Sequence, residues 1–182
     1  MNKEIVEYVN SKRITVIAVF DDKTSKKIKN LSKDNYCKVP AMVQNRFEKD
    51  TLPYHLSLFE INYQDVEKLK FINEINFVKN IKVLSIDMNK SKKGGYGIYL
   101  SVESDKLSEC RKTLMDDLNI STNQFYTNYK GHITIASFEA IDDAQKEYET
   151  CKKKFKPFTA NIKSIQVHEI YPSTLIKNIE IL

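Results

Sequence analysis

The sequence predicts an α/β (α+β) fold of two similar lobes, each roughly a β-α-β-α-β unit. Three observations lead there. Runs rich in β-branched and apolar residues alternate with amphipathic segments. The order of these elements is repeated along the chain. A single shift relates the repeats: His55 and His132 lie 77 positions apart, and the same shift carries Gln64 to Ile141 and Ile81 to Phe158. An internal duplication is sought first because it constrains the fold class more than any local propensity.

The elements follow in order. Residues Arg13–Phe20 (RITVIAVF) read as a buried strand. Asp21-Asp22 ends that run and caps a helix expected from Lys23 to about Lys33. A polar, irregular stretch runs from Asp34 to Thr51, and Tyr54–Ile61 (YHLSLFEI) is a second strand. Gln64–Val78, with Val66, Leu69, Ile72, Ile75 and Phe77, is expected as an amphipathic helix. Ile81–Met88 alternates as a strand does. The segment Asn89–Gly95, rich in lysine and ending in Gly-Gly, is a turn in which Lys90, Lys92 and Lys93 are solvated. The second half then reads strand Gly97–Val102, helix Asp105–Leu118, an irregular stretch Asn119–Lys130 and strand His132–Phe138. Helix Asp142–Phe155, strand Phe158–Val167 and strand Leu175–Leu182 complete it. The whole is expected as one two-lobed domain over residues 1–182, with lobe halves 13–88 and 96–182.

Composition bounds the function. The 182 residues are 41% hydrophobic and 29% charged, enough apolar material for a core without disulfide staples. No apolar run reaches the roughly 20 residues of a membrane span, and the N-terminus lacks the apolar core of a signal peptide. A cytoplasmic monomer without membrane contact or obligate protein partner is expected. The three cysteines, Cys37, Cys110 and Cys151, form no Cys-x-x-Cys pair, and Cys110 and Cys151 read as packing residues. The net charge of +5 suits a phosphate-bearing substrate, but the lysines are spread along the chain, which argues against extensive duplex binding.

The chemistry sits at the heads of the two repeated strands, His-Leu-Ser-Leu (His55–Leu58) and His-Ile-Thr-Ile (His132–Ile135). Residues i and i+2 of a strand share a face. His55 therefore lies beside Ser57, and His132 beside Thr134, while Leu56, Leu58, Ile133 and Ile135 point into the core. Histidine can both take and give a proton near neutrality. Two facing imidazoles can serve as base and acid on opposite sides of one phosphorus. The Ser57 and Thr134 hydroxyls can donate to non-bridging phosphoryl oxygens as charge builds. No metal or other cofactor is required, and the sequence lacks the acidic cluster of a two-metal phosphoesterase.

These paired His-x-Ser/Thr motifs resemble those of the two-histidine phosphoesterase superfamily, in its 2′-5′ RNA ligase-like and 2′,3′-cyclic nucleotide phosphodiesterase groups. The resemblance implies a bilobal, pseudo-twofold fold whose two sheets form a concave cleft for the phosphate. It implies His55 and His132 as acid and base, Ser57 and Thr134 as phosphate ligands, and a nucleotide, oligonucleotide or RNA end as substrate. Ligase-like members often carry an arginine after the first motif and a proline before the second histidine. Here Phe59 and Glu60 follow the first, and Gly131 precedes the second. A 2′,3′-cyclic phosphate, a 2′-5′ linkage and a cyclic oligonucleotide all stay open, as does a non-catalytic nucleotide-binding module. Further substrate contacts are expected from Tyr54, Tyr126, Tyr129 and Lys130 beside the motifs, and from Arg46 in the long loop before the first. His168, outside both motifs, reads as a strand-end or surface residue.

Overall fold

The computed structural model describes residues 13–32, 52–61, 63–70, 72–90, 95–103, 105–117, 119–120, 129–170 and 173–182. The expected loop contact Arg46 and the expected base contact Tyr126 lie outside them. The first half contains β1 (Arg13–Phe20), α1 (Asp22–Lys29), β2 (His55–Ile61), a 3-10 turn (Tyr63–Asp65), α2 (Val66–Lys70), β3 (Glu74–Ile75) and β4 (Asn80–Lys90). The second contains β5 (Tyr96–Val102), α3 (Asp105–Asp117), β6 (His132–Phe138), α4 (Ile141–Lys154), β7 (Phe158–Ile170) and β8 (Thr174–Ile181). Asp21 caps α1 as expected: its side chain accepts from the Thr24 amide at 2.7 Å, and Lys26, Lys27 and Lys29 complement the other end of the helix dipole.

One expected element changes. The Gln64–Val78 segment is not a single helix: α2 stops at Lys70, and β3 follows. Only Val66 and Leu69 keep helical spacing, whereas Ile75 and Phe77 are spaced as in a strand. The backbone partners come from far along the chain, since the Glu180 amide donates to the Asn73 carbonyl and the Leu182 amide to that of Ile75. Tertiary pairing overrides a weak local periodicity here.

The strands form one eight-stranded sheet of order β2-β1-β7-β4-β5-β6, with β8 on β7 and β3 on β8. Every pairing is antiparallel except β3 with β8. The expected pair of sheets is thus one continuous sheet. The reason is the third strand of each repeat, which crosses over: β7 lies beside β1, and β4 lies beside β5. These exchanged strands pair with each other through Asn80–Val83 and Phe158–Asn161, and β7, 13 residues long, can serve both partners.

The duplication extends to the irregularities. Leu58 bulges out of the β1–β2 ladder, and Ile135 bulges out of the β5–β6 ladder. Each is the fourth residue of its histidine motif. A second matching pair occurs where Leu84 interrupts β4 against β5 and Lys163 interrupts β7 against β1. A bulge bends and twists its strand, so matched bulges curve both halves alike. The edge strands β2 and β6, at opposite ends of the sheet order, consequently approach one another. The histidines stand on those two strands.

The core lies on the other side of them. Leu56, Leu58, Phe59, Ile133 and Ile135 are wholly buried, as the alternation requires. Each contributes about 1.5–3 kcal/mol of burial. Helix α4 packs on β4, β5 and β6. Cys151, on α4, is also wholly buried; burial pushes the thiol up to about 12, which makes it inert packing. Among the described residues, no helix is long and apolar enough to cross a membrane.

Candidate active site

Each histidine heads its strand and makes the same local contact. The His55 Nδ1–H donates to the Pro53 carbonyl at 2.8 Å, and the His132 Nδ1–H donates to the Lys130 carbonyl at 3.2 Å. In both motifs the acceptor is two residues back. A hydrogen bond at one ring nitrogen orients the ring, and in both rings Nδ1 is the nitrogen so engaged.

The rings differ in environment. His132 is exposed, whereas His55 is partly buried. Burial first, and then the charges of His168 and His132, push His55 from 6.5 to about 4, although the Pro53 carbonyl favours its proton. In the sheet register His55 stands opposite Val19 of β1, and His168 of β7 stands opposite Thr15 of the same strand.

The hydroxyls follow the pleat. Ser57 stands opposite Ile17 of β1, and Thr134 opposite Tyr99 of β5, on the same faces as their histidines. Both are partly exposed. Tyr54 and Tyr129 are half-buried against the core. Lys130 is exposed and offers its carbonyl to His132.

Three residues were not marked by the motifs. His168 is 6% exposed, which corrects its reading as a surface residue. It faces Thr15 across β7 and β1, its Nδ1 accepts from the Ser173 hydroxyl at 3.1 Å, and its Nε2–H donates to Gln166 Oε1 at 2.9 Å. Its alternation with Gln166 on β7 was the available signal. Tyr99 meets His132 edge-on, with ring centroids 5.0 Å apart. Arg111 reaches from α3 to donate its Nε–H to the Leu58 carbonyl at 2.5 Å, and its guanidinium lies over the Tyr129 ring at 4.8 Å. One buried side chain thus touches the bulge of the first motif and the approach to the second.

Gly97 makes room for Tyr99. A Cβ there would overlap the Tyr99 hydroxyl and ring. Gly97→Ala is expected to turn the Tyr99 ring away from His132. The check is the ring-current shift on the His132 Hε1 resonance, which should move toward its random-coil position. An unmoved resonance would show that the ring accommodates the methyl.

No protein-family model matches the sequence, and no curated protein matches it significantly. Solved structures do match. TT0787 of Thermus thermophilus aligns with a TM-score of 0.53 at 9% identity, over 92% of this chain and 97% of that one. E. coli LigT in its apo form aligns with a TM-score of 0.52 at 12% identity, over 93% of this chain and 97% of that one. The chain thus has the fold of LigT and TT0787.

Proposed function

We propose that this chain is a metal-independent phosphoesterase acting on a nucleotide or RNA phosphodiester, either a 2′,3′-cyclic phosphate or a 2′-5′ linkage. The observation that carries this reading is the matched pair of imidazoles. Both sit on bulged strands at converging edges, and both have Nδ1–H bound to the carbonyl two residues back.

His55, held neutral, is the general base. Its Nε2 takes a proton from water as the water oxygen attacks phosphorus. His132, at solvent, enters with a proton on Nε2 and gives it to the leaving oxygen as the P–O bond breaks. Exchange with solvent then restores both rings. Ser57 and Thr134 donate hydrogen bonds to the non-bridging oxygens, where negative charge grows. Tyr54 and Lys130 flank the substrate.

The test is turnover of 2′,3′-cyclic mononucleotides, a 2′-5′-linked oligoadenylate and a cyclic oligonucleotide with chelator present. Chelator-resistant product from the first or second class is expected. Product only with added metal would sink the mechanism.

His55 also sets the pH response. Its folded value lies below its unfolded value, so below about 6.5 the unfolded chain binds more protons and stability falls as pH drops toward 4. The shift corresponds to at most about 3 kcal/mol. The acid limb of kcat/KM is expected near 4, and His55→Gln should lessen the loss of stability between pH 6.5 and 4. An acid limb near the ordinary histidine value would show that His55 is not the base.

A further inference from the structure

The duplication puts different chemistry at matching places. Asp87 lies opposite Tyr99, which lies opposite Thr134; in the other half Gln166 lies opposite Ile17, which lies opposite Ser57. Asp87 and Gln166 therefore occupy equivalent third-strand positions on the histidine-bearing face. His168 donates to Gln166 Oε1, and the Gln166 amide in turn donates to Asn178 Oδ1 at 3.2 Å. Asp87 is an acceptor only. Its Oδ2 takes the Ser85 hydroxyl at 2.9 Å and the Ser101 hydroxyl at 2.6 Å. The face is thus polarised, with donors on the His55 side and a carboxylate on the His132 side.

Resting on the phosphoesterase reading above, we propose that Asp87 reads the nucleobase on the His132 side, accepting a hydrogen bond at Oδ1 from an exocyclic amino group. If His55 activates water, the leaving oxygen and its nucleoside lie toward His132, the side on which Asp87 stands. Asp87 is two strands from Thr134, about 10 Å at backbone level. That is too far for the ribose hydroxyl next to the phosphate and suits the edge of a base. A carboxylate repels a second phosphate there. It also repels the uracil edge, whose imino N–H is flanked by two carbonyl oxygens, but it accepts from the cytosine amino group. The half-buried Tyr99 ring lies between the two positions and gives the base a surface to stack on.

Cytidine and uridine differ at this edge by amino against carbonyl. The experiment compares 2′,3′-cyclic CMP with 2′,3′-cyclic UMP for turnover, and 3′-CMP with 3′-UMP for binding by calorimetry. Wild type and Asp87→Asn are each tested, with melting temperature as the folding control. Wild type should favour cytidine about tenfold in both measurements. Asp87→Asn should bring the ratio close to one in both measurements. Equal handling of the two bases by wild type, or a preference that persists in Asp87→Asn, overturns the assignment even where turnover is intact. Because binding of the 3′-nucleotides by wild type needs neither turnover nor a folded variant, the two readings fail separately. A cytidine binding preference without turnover would sustain the subsite and sink the phosphoesterase reading; no binding of either nucleotide would overturn the subsite.

Discussion

Replacing His55 or His132 with alanine will lower kcat on a 2′,3′-cyclic nucleotide by roughly 10²–10⁴-fold, the range for loss of a positioned acid or base. The two residues act in one step, on the attacking and the leaving oxygen. Their losses should therefore not multiply, and the double variant should fall little below the worse single variant. The variants should differ in other respects. His132 is exposed, so His132→Ala should melt close to wild type. His55→Ala removes a partly buried imidazole and should flatten the acid limb of the pH profile. A single variant with turnover within a few fold of wild type would remove that residue from the mechanism. Losses that multiply in the double variant would argue for two independent roles.

Arg111→Met will lower stability by about 3 kcal/mol, within the range for breaking a buried charged contact, and the melting temperature by roughly 10 °C for a chain of this size. Arg111 is 8% exposed. Its Nε–H satisfies the carbonyl of the bulged residue Leu58, and its guanidinium covers Tyr129. Methionine keeps much of the volume but leaves that carbonyl without its donor. Because both contacts adjoin the histidine motifs, activity should fall even at temperatures where the variant is fully folded. Arg111→Lys should rescue only part of either effect, because lysine lacks the planar fork that can donate and stack at once. A loss of stability with unchanged kcat would make Arg111 a packing residue and no more.

The strands were legible because their signal is local. RITVIAVF and HITIASF are β-branched and apolar, and the observed bounds of β1 and β6 coincide with the expected ones. The motifs were legible because the period of two places His55 with Ser57 and His132 with Thr134 whatever the rest of the chain does. Even the bulges leave a trace. Leu58-Phe59 and Ile135-Ala136 are adjacent pairs in which both residues are buried, a break in alternation at the same point of each repeat.

The segment after Gln64 was misread because its spacing mixes two periods, and the partner that decides between them, β8, lies a hundred residues away. His168 was misread for a related reason. Nothing near it in sequence shows that β7 crosses to β1 and buries it there. Arg111 offered no signal at all, since an arginine on an amphipathic helix is ordinarily solvated.

The sequence by itself determined most of the strands and helices, their repeated order and the two His-x-Ser/Thr motifs, because these depend on side-chain pattern over a few residues. Only the tertiary structure decided which strand lies beside which, that the third strands exchange, and that the curled sheet brings both histidine strands together. Those outcomes depend on pairing between distant segments, where backbone hydrogen bonds are satisfied by whichever edge the folded chain presents.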